Sequence, residues 1–119
     1  MPVSNKPIVW GLFAGGGTLA AFIVPALILL TSLAVPLGFL PADSLSYDRV
    51  LGFLQNPLAK ICVFGIIFLV IWHAAHRMRI TANDLGFRAD KIAMLLFYGL
   101  AALGSILAAA ALLRLDGSA

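Results

Sequence analysis

The sequence predicts an all-α membrane protein with three transmembrane helices and a short interfacial helix between the first and the second. Three observations predict it. The 119 residues are 62% hydrophobic and 11% charged, whereas soluble domains are about 45–50% apolar and about 25% charged. A domain this small has much surface for its volume, too much for so few charges to cover, so the missing polar surface faces lipid. Finally, the apolar residues fall into three blocks, each near the ~20 residues that a spanning helix needs.

The first span covers approximately residues 10–33. No charged residue occurs between Pro7 and Ala42. That stretch exceeds the roughly 7–15 apolar residues of a signal peptide, so it reads as a mature membrane segment. Lipid cannot satisfy open backbone groups, which makes helix the expected form. Pro25, in mid-span, removes one helical hydrogen bond and is expected to kink the helix locally. Pro36 and Pro41 bracket its end.

From Pro36 to Pro57 the chain is mixed in character, PLGFLPADSLSYDRVLGFLQNP. Ser44 or Ser46 is a candidate cap for a short helix ending near Gln55. Val50, Leu51, Phe53 and Leu54 give it an apolar side, so it is expected to lie at the interface. The second span covers approximately residues 58–77, a short charged loop follows over 78–91, and the third span covers approximately 92–113. Residues 1–119 make a single membrane domain.

Basic residues set orientation. With three spans, the N-terminus shares a side with the second loop, which places Lys6, Arg77, Arg79, Arg88 and Lys91 together. Arg49, Lys60 and Arg114 fall on the other side. The excess puts the N-terminus in the cytoplasm. Small residues at spacing four, Gly11 with Gly15, Ala101 with Ser105 and Ala109, and Gly104 with Ala108, suit close helix contact. Gly16 and Gly17 follow the first pair. Cys62, the one cysteine, reads as a small apolar residue, buried or facing lipid.

Most of the chain is chemically inert. The net charge of +3 is spread out rather than clustered, which argues against nucleic acid. No nucleotide-binding glycine motif, CxxC or HExxH occurs, and no paired carboxylates lie within a span. These absences argue against a stand-alone enzyme. A transporter subunit would carry polar residues at the midplane of several spans, and the span centres here have almost none.

The end of the second span is different. It reads IWHAAHRMR, with Trp72, His73, His76, Arg77 and Arg79. Trp and Arg here also suit a plain interfacial anchor. The two histidines, three apart on a helix, share a face, and such groups in membrane proteins face a cavity, partner or cofactor. Topology brings Trp10, Gly11 and Phe13 to the same membrane depth. Aromatic walls beside His and Arg donors suit a flat amphiphile with carbonyl or hydroxyl groups, such as a quinone.

The stretches WGLF (Trp10 to Phe13) before a glycine-rich run, PLGFLP, DSLSYDRVL (Asp43 to Leu51), HRM (His76 to Met78), Asp84-Leu85 and FYGLAA (Phe97 to Ala102) occur in this order. In order and spacing they resemble the D subunit of bacterial quinol:fumarate reductase, over the whole chain. The resemblance implies a membrane anchor subunit of the bacterial cytoplasmic (inner) membrane, serving electron transport in anaerobic respiration. Its implied partners are a second three-helix membrane anchor subunit, an iron–sulfur subunit and a flavoprotein subunit, the latter two on the cytoplasmic face. The chain itself would be non-catalytic.

It further implies a menaquinone or menaquinol site at the interface with those partners, to which Trp10, Phe13, Ala14, His76 and Arg77 would contribute. Ala14 stands where the family has glycine. His73 departs from the family and precedes Asp84 by eleven positions, the spacing of a haem-ligating His and an Asp in related succinate dehydrogenase anchors. A haem-b-containing anchor with His73 as ligand is therefore one alternative. The simpler role for His73 is a hydrogen bond to a neighbouring helix. A purely structural anchor without quinone contacts is the other alternative. Asp84 is expected to cap or bridge in the loop, and Tyr98 to be a buried helix–helix contact.

Overall fold

The computed structural model describes residues 4–116. Helix α1 (Lys6–Leu29) runs into a π-helical segment at Leu30–Ala34, α2 spans Tyr47–Gln55, α3 spans Pro57–Asp84 and α4 spans Asp90–Arg114. Among the described residues there is no strand, and three helices are long and apolar enough to cross a membrane. At 1.5 Å per residue, the 28 residues of α3 extend about 42 Å, ample for a ~30 Å hydrocarbon core. The three-span expectation and the short intervening helix are both present.

Helix ends follow the local sequence. α1 continues through Pro25, and five residues later the ladder widens, with Val35 N–H donating to Leu30 O at 3.2 Å. Pro36 then closes the helix and Gly38, at φ +77, turns the chain. Ser46 occupies the cap position of α2, although its hydroxyl makes no capping bond. Asn56 does cap α3: its Oδ1 accepts from Leu58 N–H at 2.9 Å and Ala59 N–H at 3.3 Å, with Pro57 at the first helical position.

α3 outlasts its apolar stretch. It continues past Arg77 as a polar helix to Asp84, so the loop expected over 78–91 shortens to residues 85–89. Gly86, at φ +91, makes the stop. Its N–H donates to Asn83 O and Phe87 N–H donates to Ala82 O, both at 3.0 Å. These paired bonds satisfy the last carbonyls of the helix, and their geometry favours a glycine.

α3 is the central helix, packed against both α1 and α4. Small residues set both seams. On α4, Ala93, Ala101, Ser105 and Leu112 are buried, and Ala75 is buried on α3. A methyl added at Gly104 would meet Ile71 at 3.4 Å. Against α1, the close approach is made by Gly16, where a Cβ would sit 2.2 Å from Leu69 O. Gly11 and Gly15 have nothing within 4 Å of an added Cβ, so that spacing-four pair faces away from the neighbouring helices. Cys62 is exposed on an apolar surface, as a lipid-facing residue would be.

Opposite the α1 N-terminus, Lys60 pairs with Asp116 and Gln55 Nε2 donates to Leu115 O at 3.3 Å. These contacts tie the α2–α3 corner to the end of α4.

Candidate functional site

A cavity of about 430 Å³ opens between α1, α3 and α4. Val9, Trp10, Leu12 and Phe13 of α1 form one wall, and Phe68, Trp72, His73 and His76 of α3 with Tyr98 of α4 form the other. The period of α3 explains the second wall. Residues 68, 72 and 76 repeat every four positions and 73 and 76 are three apart, so one face of the helix presents all of them.

Aromatic contacts fix the rings. Phe13 stacks on His73 with centroids 4.4 Å apart and meets the edge of His76 at 4.6 Å. Phe68 lies 5.8 Å from Trp72, which lies 5.8 Å from Tyr98. Trp10, 72% exposed, stands at the open rim.

Each polar group of the walls is held from behind. His73 Nδ1 is 2.9 Å from the carbonyl oxygen of Phe13, which ties α3 to α1. The same imidazole occupies the space that glycine leaves on α1: a Cβ at Gly17 would sit 2.6 Å from Cε1 and 3.2 Å from Nε2 of His73. Trp72 Nε1 donates to Ser105 Oγ at 3.2 Å, and Ser105 Oγ donates to Ala101 O at 2.8 Å. His76 Nδ1 lies 2.6 Å from the Tyr98 hydroxyl. Arg79 forks onto Asp90, Nε to Oδ1 at 2.8 Å and Nη2 to Oδ2 at 2.6 Å, and Asn83 Nδ2 donates to Asp90 Oδ1 at 2.9 Å.

Of the residues singled out from sequence, Trp10, Phe13 and His76 come together here. Ala14 and Arg77 are exposed and lie outside the cavity lining. Tyr98 belongs to the cavity itself, and Arg79 supports it from behind. Arg79 is legible from its helix phase: it lies three residues after His76, on the same face, whereas Arg77 is turned about 100° away. Asp84 ends α3 and is exposed.

The arrangement offers an apolar, mostly aromatic slot with imidazole and hydroxyl groups at one wall. It can hold a flat apolar molecule and hydrogen-bond an oxygen at its edge. Among the described residues no cluster of three or more His, Cys, Asp or Glu could hold a metal ion.

The family model for the D subunit of fumarate reductase matches residues 1–113. The fumarate reductase D subunit of Photobacterium profundum is 39% identical over 105 residues, covering 88% of each chain. That of Aliivibrio fischeri is 38% identical over 104 residues, 87% of each chain. That of Mycobacterium bovis is 40% identical over 105 residues, 86% of this chain and 82% of the relative. With its three spans, the chain is a multi-pass membrane protein, and it belongs to the family of fumarate reductase D subunits.

Proposed function

We propose that this chain anchors a fumarate reductase in the cytoplasmic (inner) membrane and builds part of its quinol site. With a second three-helix anchor it holds the iron–sulfur and flavoprotein subunits at the cytoplasmic face, where the α1 N-terminus and the α3–α4 loop lie. The observation that carries the reading is the cavity in which Trp10, Phe13 and His76 converge.

Quinol, the substrate, supplies two electrons and two protons for the reduction of fumarate. The part of this chain is to bind and orient it. Trp10, Phe13, Phe68 and Trp72 cover its ring faces with apolar surface and exclude water, which strengthens each remaining hydrogen bond. His76 meets an oxygen at the ring edge. The cavity opens on the exposed Trp10 rim, which leaves a side for partner subunits to complete. Arg77, exposed one residue beyond His76, is available to the same partners, as is Ala14.

The geometry at His73 favours a helix clasp over a haem ligand. A haem iron needs an open approach to a ring nitrogen. Here Nδ1–H donates to the Phe13 carbonyl, which leaves Nε2 as the nitrogen an iron would need. The ring edge bearing Cε1 and Nε2 is turned to α1 at Gly17, where an added Cβ would sit 3.2 Å from Nε2.

The test is His76→Ala in the assembled, membrane-bound complex. Quinol oxidation should fall at least about tenfold while the four subunits still co-purify. Normal turnover in the co-purifying complex would leave a structural anchor without quinone contacts. Haem b bands in the dithionite-reduced spectrum of the purified complex would restore the haem-containing alternative.

A further inference from the structure

His76 does not stand alone in the cavity wall. The Tyr98 hydroxyl of α4 lies 2.6 Å from His76 Nδ1, and the two rings are parallel within 2° at a centroid distance of 6.3 Å. On its other side the same hydroxyl meets Arg79 Nη1 at 3.4 Å, and the guanidinium carbon sits 5.7 Å from the centre of the Tyr98 ring. Asp90 holds Arg79 in this pose by the two-pronged contact, itself steadied by Asn83. His76, Arg79 and Asn83 come from α3, and Asp90 and Tyr98 from α4.

This order favours one placement of the protons. A guanidinium has donors and no acceptor. The Tyr98 oxygen therefore accepts from Arg79, and all three groups are satisfied when its single proton points to His76 Nδ1 as the acceptor. A neutral imidazole with Nδ1 accepting carries its proton on Nε2. No hydrogen bond occupies Nε2 among the described residues. His76 lines the cavity, so Nε2–H is the group left to meet a bound molecule.

We infer that Tyr98, oriented by the Arg79–Asp90 pair, is a positioning residue that holds His76 as its Nε2–H tautomer, so that His76 donates a hydrogen bond to an oxygen of the bound quinone or quinol. The inference rests on the proposed quinol site. In this state His76 cannot take the proton that leaves a quinol at Nε2, so the base for that proton is another group. The Tyr98 ring is part of the cavity wall, while its hydroxyl acts on the substrate through His76, by setting which of its nitrogens donates.

The test uses Tyr98→Phe, which keeps the ring and removes the hydroxyl, in the assembled membrane-bound complex. Solid-state nitrogen NMR of the histidine-labelled complex reads the tautomer, with the His76 signals identified by their loss in His76→Ala. In the unaltered complex His76 should show a protonated Nε2 and a bare Nδ1, and Tyr98→Phe should bring in the other tautomer. The KM for quinol should rise about tenfold in Tyr98→Phe, with kcat changed less than about twofold.

A protonated Nδ1 in the unaltered complex would overturn the inference even if Tyr98→Phe failed to assemble. So would an unchanged tautomer and KM in an assembled Tyr98→Phe complex whose His76→Ala counterpart is impaired. Normal quinol oxidation in His76→Ala would instead remove the quinol site itself, and the inference with it.

Discussion

The carbonyl oxygen of Phe13 and Nδ1 of His73 are 2.9 Å apart, across the seam where α1 lies closest to α3. Such a bond needs the two backbones to approach closely, and Gly16 and Gly17 permit it. At Gly16 a Cβ would fall 2.2 Å from Leu69 O and 2.8 Å from His73 Cβ. The first distance is to backbone, which cannot swing aside.

Gly16→Ala should therefore force α1 away from α3, at a cost of about 2–3 kcal/mol, and loosen the cavity wall that α1 supplies. Gly15→Ala is the control. Nothing lies within 4 Å of its added Cβ, and alanine is the better helix former. It should be neutral within about 0.5 kcal/mol or slightly stabilising. Reversible unfolding of the full chain in mixed detergent micelles measures both. Equal effects of the two substitutions would contradict this seam.

The bond between Trp72 and Ser105 makes a second prediction. Ser105 is 8% exposed, and its hydroxyl accepts from the Trp72 indole while donating to Ala101 O. Ser105→Ala leaves the indole N–H without that acceptor in an apolar seam. Interhelical hydrogen bonds of this kind average about 0.6 kcal/mol and reach about 1.7. A double-mutant cycle with Trp72→Phe should return a coupling in that range. Fluorescence in a Trp10→Phe background, where Trp72 is the one remaining indole, should shift to shorter wavelength on Ser105→Ala. Zero coupling with unchanged emission would remove the bond.

The spans are legible in the sequence because their cause is local. Each needs about 20 apolar residues in a row, whatever it packs against. The site is legible only in part, because its cause is helix phase combined with pairing between helices. Trp10, Phe13 and His76 stand out as polar or aromatic residues at one depth. Tyr98 lies 22 positions from His76, and only the packing of α4 on α3 brings them together. The HRM motif points to Arg77, which is exposed, and spacing three from His76 puts Arg79 on the same side of α3 as His76, where it supports Tyr98 from behind. Among the glycines, spacing alone points to Gly11 and Gly15, and the actual approach uses Gly16. A spacing-four pattern marks a face of a helix without saying which neighbour covers it.

Orientation gives the last prediction. Lys6, Arg77, Arg79, Arg88 and Lys91 lie toward the N-terminal face, and Arg49, Lys60 and Arg114 toward the other. The bias is five Lys and Arg against three, and it is this count, rather than net charge, that sets orientation. The more basic face is expected in the cytoplasm, where the proposed site must also lie for electrons to reach the proposed iron–sulfur partner. Asn5 and Asp48 are exposed on opposite faces, separated by the length of α1. In a Cys62→Ser background, a membrane-impermeant maleimide added to intact cells with a permeable outer layer should label Asp48→Cys and leave Asn5→Cys unlabelled until the cytoplasmic membrane is opened. The reverse pattern would turn the chain over, and the cavity would then face away from the subunits it is proposed to serve.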